Sequence, residues 1–561
     1  MCAGIRVGIV QHNPTVGDID GNYDQLQTAY DGLQEAGADI VVMPELAILG
    51  YPPRDLLFRS EFLTAQNSAL DALAAQTSAG PPIILGAAAP ATDDPKSPLQ
   101  NTATVLSNGA VKTRYAKRLL PTYGVFDEDR YFIAGSEPAV VSVNGIDLGL
   151  SVCEDAWHDM TVAGRQQYRT NPIADVAAES PDLIVNISAS PFSVNKPQKR
   201  YEQFEQHAVT ADCPIVLANQ VGGNDDLVYD GHSFLIDRQG QLHAQLPGFE
   251  PAKAVVELSN NSRSQVSSLN FSNQQIRSAL RLGIRDYFAK TGFSQAVIGM
   301  SGGIDSSVTT ALAVDALGAD HVYGISMPSE ITSEQSITDA RTVASRLGIE
   351  FDVLPIKSII NAIQTELQTH LNHAFTDVAF ENIQARVRGA ILMGFANELN
   401  ALVLTPDNKS EGAVGYCTLY GDTVGALAPL GDCYKHMVYD LAEQVNHNPP
   451  DKSTSPVIPK SVFEKPPTAE LAEDQSDRDD LPPYDVLDPI LQRYIEDPVP
   501  SQAHVRDKSH TQDVIQRIVR SEFKRWQTPP ALRVTKQAFN RDWRYPIAAS
   551  FRPLTKNLDS S

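Results

Sequence analysis

Val297-Ile298-Gly299-Met300-Ser301-Gly302-Gly303-Ile304-Asp305-Ser306-Ser307 decides how the second half of this 561-residue chain is read. An apolar run passes straight into small residues, one carboxylate and hydroxyls, the order expected where a strand ends in a loop and a helix begins. That helix is read from about Ser307 to Leu317. The paired glycines let successive backbone N–H groups face one concavity, the serines add donors, and the helix N-terminus is positive. Such a loop holds pyrophosphate. It contains no Gly-Lys-Ser/Thr, so it is not the loop that hands on a terminal phosphoryl group. Keeping the product pyrophosphate implies cleavage of ATP between its α and β phosphates, with an acyl or imidoyl adenylate formed. A plain glycine-rich turn needs neither Asp305 nor the doubled serine.

Working outward from the loop, strand and helix patterns alternate: strand Ala296–Met300, helix, strand His321–Ser326, helix Ser333–Leu347, strand Phe351–Leu354, helix Ala385–Glu398, strand Ala401–Thr405. Helices of this length between strands imply parallel pairing and a ligand at the strands' carboxyl ends. Upstream, the polar run Asn260 to Ser268 breaks the pattern and reads as a linker. Before it lies a second alternating region, with apolar strands such as Ile5–Val10, Ile40–Met43, Asp147–Val152, Leu183–Ile187 and Ile215–Ala218, and a helix over Asn22–Ala36. The expected division is 1–258, a linker 259–272, a second domain 273–548 and a tail 549–561. Lys460–Leu471 and the acidic run Glu473–Asp480 read either as a solvated loop or as a lid over the nucleotide.

The formal net charge of -23 argues against nucleic acid as a partner. No apolar run approaches the roughly 20 residues of a spanning helix, and no basic-then-apolar leader opens the chain, so the expectation is a cytoplasmic protein without a membrane partner. Five scattered cysteines suggest a reducing compartment.

In the first half, Met43-Pro44-Glu45-Leu46, Lys117-Arg118-Leu119-Leu120-Pro121-Thr122-Tyr123 and Val152-Cys153-Glu154-Asp155-Ala156-Trp157 stand at strand ends. A carboxylate, an ammonium and a thiol form a working set for amide hydrolysis: Glu45 as base, Lys117 on the oxyanion, Cys153 as nucleophile giving a thioester. These fragments, with Gln11–Asp18, Phe126–Phe132 and Asn186–Phe192, resemble the nitrilase (carbon-nitrogen hydrolase) superfamily over the whole first half. The resemblance implies an αββα four-layer sandwich. It also implies that Tyr123, Ser190 and Lys196 hold glutamine, with Lys196 meeting the substrate carboxylate.

The second half resembles NAD synthetases of the pyrophosphatase-loop family through Met327-Pro328-Ser329, Glu381 to Arg388, Asp407 to Glu411, Thr418 to Asp422 and Phe523-Lys524-Arg525. That resemblance implies a Rossmann-like parallel α/β domain. It further implies that ATP is bound by Gly299, Met300, Ser301, Gly302, Gly303, Ile304, Asp305, Ser306, Ser307, Thr405 and Pro406, and deamido-NAD by Asn382, Glu411 and Lys524. Asp305 and Glu411 are the expected Mg2+ ligands, as carboxylates bridged through metal to phosphate. Thr405-Pro406-Asp407 departs from the family's Thr-Thr-Gly or Gly-Thr-Gly. Proline removes a donor and a hydroxyl there, for which Thr405 could substitute or to which Asp407 could add a metal contact.

The expected activity is ATP-dependent amidation of deamido-NAD with ammonia from glutamine, releasing AMP, pyrophosphate and glutamate. Ammonia would travel sheltered between the sites of a homo-oligomer, a dimer or octamer. Two alternatives stay open at this point: a glutamine amidotransferase that aminates another acceptor, such as a GMP- or asparagine-forming ligase, and a regulatory protein whose second half only senses nucleotide.

Overall fold

The computed structural model describes residues 4–258, apart from 93 and 95, and 274–549, apart from 372–375, 469, 473–476, 478–479, 498–507 and 540. The expected linker therefore lies outside the described residues, as does the tail beyond residue 549. The chain forms two compact units, residues 1–275 and 276–561.

In the first unit, period-two alternation assigns each strand residue to one of two cores. Val7, Ile9, Ile40, Val42, Ile84 and Val105 meet Leu148, Leu150, Val152, Val185, Ile187 and Val216 in one cluster. Their sequence neighbours Val10, Val41, Ile83 and Leu85 pack instead against helices Ile19–Glu35 and Ser60–Gln76. Ile184, Ile215 and Leu217 likewise turn outward to a third cluster with Phe204 and Ala208 of helix Lys196–Ala211. Two sheets face each other between helical layers, the αββα sandwich. The first sheet runs Ala252–Leu258, Ile5–Gln11, Ile40–Val42, Ile83–Pro90, Leu99–Ser107, Ala110–Ala116. The second runs Leu242–Gln245, Phe234–Ile236, Ile215–Asn219, Leu183–Ser188, Ile146–Val152, Val140–Val143.

The second unit carries a four-stranded sheet in the order Glu350–Val353, Val322–Ser326, Gln295–Gly299, Ala401–Val403, with every pair parallel. Strand order reverses at Gln295–Gly299. The crevice beyond that strand's carboxyl end is where such sheets bind ligands, and the Ser301–Ser307 segment sits there. Its helix, Ile304–Leu317, starts three residues earlier than expected. Helix Glu334–Leu347 shows why these segments are helical: Ser333 accepts from the Ser336 N–H, Ala340, Val343, Ala344 and Leu347 line one face, and Gly348 closes the end at φ +74°.

Other helices also depart from the sequence reading. The one expected at Ala385 begins at Asp377, where Thr376 caps Ala379 N at 3.3 Å. Its first turns carry no buried stripe, since Val378 is 65% exposed. Helix Lys357–His370 stands where no helix was expected: its apolar residues recur at helical spacing, but only Ile360 is fully buried while Ile359, Ile363 and Leu367 are exposed.

Candidate active sites

The first site is assembled from strand ends of both sheets. Glu45, Lys117 and Cys153 are all buried. Lys117 Nζ donates to Glu45 Oε1 at 2.8 Å and to Glu128 Oε1 at 2.7 Å. Burial works against the ammonium, but Glu128 and Glu45 outweigh it and hold the Lys117 pKa well above the ordinary lysine range. Glu45 is fixed further by Asn101 Nδ2 at 2.7 Å and the Ala189 N–H at 2.9 Å, and Glu128 by the Tyr51 hydroxyl at 2.7 Å. Cys153 directly follows strand Ile146–Val152 at φ +42°, in the left-handed region that a side chain rarely takes. Burial, reinforced by the Glu45 charge, pushes its thiol pKa up, so the resting group is a thiol that needs a base.

The turn after the nucleophile is clamped by Asp155. Its carboxylate accepts from Val152 N at 3.0 Å, Arg118 N at 3.0 Å, Leu119 N at 2.9 Å and Tyr115 OH at 2.8 Å. Glu154 points the other way, and its Oε1 accepts the hydroxyls of Tyr123 and Tyr168, each at 2.8 Å. Burial raises its pKa to about 7, against the charges of Lys117 and Lys196. Of the expected glutamine contacts, Tyr123 and Lys196 thus converge on Glu154. Ser190 is buried, with its N–H donated to Asn219 Oδ1 at 2.9 Å.

The second site is a cavity of about 260 Å³ walled by Gly299–Ser301 and Gly303–Ser306, Pro406, Asp407 and Glu411. Gly302 supports it from behind: at φ +79° an added Cβ would lie 2.1 Å from the Ser336 carbonyl oxygen. Ser307 Oγ donates to Gly303 O at 2.8 Å and Ser301 Oγ lies 3.1 Å from Ser306 Oγ, so the hydroxyls brace the loop. Asp305 Oδ2 and Glu411 Oε1 share one buried ammonium, Lys435 Nζ, at 2.6 and 2.9 Å. Asp305 also accepts from Asn408 Nδ2 at 3.0 Å. Burial lifts the Glu411 pKa to about 7 and that of Asp422 to about 6.

Thr405 is 1% exposed and gives its hydroxyl to Asp422 O, whereas Pro406 and Asp407 face the cavity. Burial and the nearby Asp422, Glu411 and Asp305 charges drive the Asp407 pKa well up. Asp407 lines the same cavity as Asp305 and Glu411, whose charges bear on it. Asn382 Oδ1 accepts from Thr418 Oγ1 at 2.8 Å, and Lys524 Nζ donates to Gly415 O and Cys417 O, both at 2.7 Å. Both therefore hold the 415–418 segment. The two arginines of the same helix diverge: Arg388 lines the cavity and donates to Met327 O at 3.0 Å, while Arg386 donates to Leu419 O at 3.2 Å. Lys465 to Thr468, Glu470 and Leu471 form a further wall. Glu470 takes Lys465 Nζ at 2.7 Å and Ser336 Oγ at 2.8 Å. Much of the acidic run beyond it lies outside the described residues.

Sequence reading missed Lys435, Glu128, Asn101 and Tyr168. Glu128 lies inside the Phe126–Phe132 fragment, but an isolated acid carries no sign of burial. For Lys435 the only signal is a lysine at the start of an otherwise apolar helix face.

A carbon-nitrogen hydrolase family model matches residues 6–266 and an NAD synthase family model residues 276–528. A glutamine-dependent NAD(+) synthetase of Synechocystis is 40% identical over 98% of this chain and 99% of its own length, and one of Aquifex aeolicus 38% over 98% and 100%. The solved structure of the Acinetobacter baumannii glutamine-dependent NAD+ synthetase with ADP superimposes with a TM-score of 0.77 at 35% identity, covering 97% of this chain and 98% of that one. With both family models in succession and relatives matched from end to end, the chain belongs to the glutamine-dependent NAD(+) synthetases.

Proposed function

We propose that the chain is a ligase that amidates deamido-NAD to NAD at the expense of ATP, with glutamine as the nitrogen donor, working in the cytoplasm. The observation that carries this reading is the pairing, in one chain, of a buried Glu45-Lys117-Cys153 set with a pyrophosphate-type loop. Glu45 accepts the thiol proton as Cys153 attacks the glutamine amide. Lys117, held as a cation by two carboxylates, stabilises the oxyanion, and Glu45 passes the thiol proton to the nitrogen as ammonia leaves. Glu45 then activates water to release glutamate from the thioester. Glu154 is the acid available to the substrate's α-ammonium and Lys196 the cation for its α-carboxylate, with Tyr123 and Ser190 shaping the pocket.

In the second unit the Gly299–Ser307 loop takes the pyrophosphate as the nicotinate carboxylate of deamido-NAD attacks the α-phosphate. Ammonia displaces AMP from the adenylate. Thr405 supports that wall through Asp422, beside Pro406, and Asn382, Glu411 and Lys524 set the dinucleotide's place. Asp305 and Glu411 already converge on one cation, the ammonium of Lys435, as a two-carboxylate Mg2+ site with phosphate ligands requires. Those two residues would hold the ion, which supplies charge neutralisation on the phosphates.

The exposed residues Ile359, Ile363, Leu367 and Leu371 recur at four-residue spacing and support a second copy of the chain as partner. Among the described residues no helix is long and apolar enough to cross a membrane. The test compares NAD formation from glutamine and from ammonium chloride. Cys153→Ala is expected to lose the first and keep the second. Loss of both, or absence of pyrophosphate among the products, overturns the reading.

A further inference from the structure

Residues 157–171, between the nucleophile turn and helix Pro172–Ala177, form a surface excursion. Thr161 pairs with Gln166 and Val162 with Arg165 across a two-residue turn, Ala163-Gly164, in which both residues have positive φ, +50° and +72°. Positive φ at both central positions is the requirement of a tight hairpin turn that matches strand twist. The excursion is closed at its base by Gln167 N to Met160 O at 3.0 Å and by Asn171, which caps the next helix and meets His158 at 3.3 Å. From Thr161 to Thr170 every residue is exposed except Val162 and Tyr168. A stiff hairpin therefore delivers one phenol inward, onto Glu154 Oε1.

That oxygen already receives the Tyr123 hydroxyl. Two donors on a single carboxylate oxygen fix the carboxylate's rotation. Glu154 Oε2 takes no hydrogen bond among the described residues, although the side chain is only 3% exposed. We infer that Tyr168 is a positioning residue for amide-donor selectivity: through Oε1 it turns the free oxygen of Glu154 toward the α-ammonium of glutamine. This rests on the reading of Cys153 as a glutamine-hydrolysing nucleophile. A phenol on an ionised carboxylate is a charge-assisted bond, so it also keeps Glu154 charged. The groups bearing on Glu154 are Lys117 and Lys196, which favour its ionised form as the two phenols do, and Cys153 beside it. Glu128 bears on Tyr168 itself.

The test is Tyr168→Phe in the full-length protein, which retains the ring and removes the hydroxyl. The KM for glutamine is expected to rise about tenfold with kcat changed by less than about twofold, the loss of one charge-assisted bond. Because that bond favours the charged form, the acid limb of kcat/KM for glutamine moves to higher pH. Hydrolysis of glutaramate, which lacks the α-ammonium, stays at its wild-type kcat/KM, and ammonium-driven synthesis is unchanged. Adding Tyr168→Phe to Glu154→Gln produces no further rise in KM, since the phenol acts through that carboxylate. An unmoved KM and acid limb overturn the proposal, as does an equal loss toward glutamine and glutaramate, the mark of a packing role alone. Failure of the underlying reading is seen separately, as glutaminase activity that survives Cys153→Ala.

Discussion

Replacing Lys117 by methionine keeps the unbranched stem and removes the ammonium, with its charge and its two donated hydrogen bonds. Two buried carboxylates, Glu45 and Glu128, then lose the ammonium they share. Carboxylates bonded to one nitrogen lie about 5 Å apart, and at an effective dielectric of about 20 they repel by about 3 kcal/mol. Breaking a buried ion pair from one side costs about 3–5 kcal/mol in all, so the first unit of Lys117→Met is expected to unfold well below the wild type at pH 8. The loss is pH dependent. Burial and the Glu45 charge already raise the Glu128 pKa above the unfolded value of about 4.3, and without the lysine nothing opposes them, so the folded state binds more protons than the unfolded one and gains stability as pH falls. The deficit should shrink by more than half between pH 8 and pH 5 as one carboxylate becomes neutral and shares its proton with the other. Glutamate release should fall at least about a hundredfold through loss of the oxyanion donor, and it does not recover at low pH. Thermal unfolding across that range, with glutamate release from glutamine alone, measures both. A deficit that is the same at every pH, or below about 1 kcal/mol throughout, refutes the account of Lys117 as the charge that reconciles two buried acids.

Gly302→Ala must place a methyl group 2.1 Å from the Ser336 carbonyl oxygen at φ +79°. The backbone penalty of about 1–2 kcal/mol and the overpacking of about 1–3 kcal/mol act on the loop, and AMP formation from ATP, deamido-NAD and ammonium should fall at least about tenfold. Chelation of divalent ions should abolish AMP and pyrophosphate formation while glutamate release by Cys153 persists; loss of both would break the assignment of the metal to Asp305 and Glu411 alone.

Where a residue's role depends on its immediate neighbours, the sequence was legible. The Ser301–Ser307 loop and the period-two strands of the sandwich rest on local pattern, and that pattern was enough to place them. Glu45, Lys117 and Cys153 stood out as a carboxylate, an ammonium and a thiol in fragments at or after strand ends and through the nitrilase resemblance, and the structure places each just after a strand. Glu128 and Lys435 were not, because what distinguishes them is burial beside a charge that is distant in sequence: 11 positions in one case, 130 and 24 in the other. Helix Lys357–His370 shows its four-residue apolar spacing in the sequence, but not that Ile359, Ile363 and Leu367 stay exposed while Ile360 alone is buried. Thr405 was assigned by analogy of position, and its hydroxyl is spent on Asp422 O, a contact that spans 17 residues.

The two sheets of the first unit meet through aliphatic side chains, and such contacts resist separation far more than they resist sliding. Nothing in that layer alone would keep Lys117, which comes just after the edge strand of one sheet, in step with Cys153, which comes just after a strand of the other. Asp155 removes the freedom by taking donors from both: Tyr115, Arg118 and Leu119 on one side, Val152 on the other. It acts as a dowel at the catalytic end of the sandwich. Cohesion of the domain and alignment of its reacting groups are thereby answerable to different bonds.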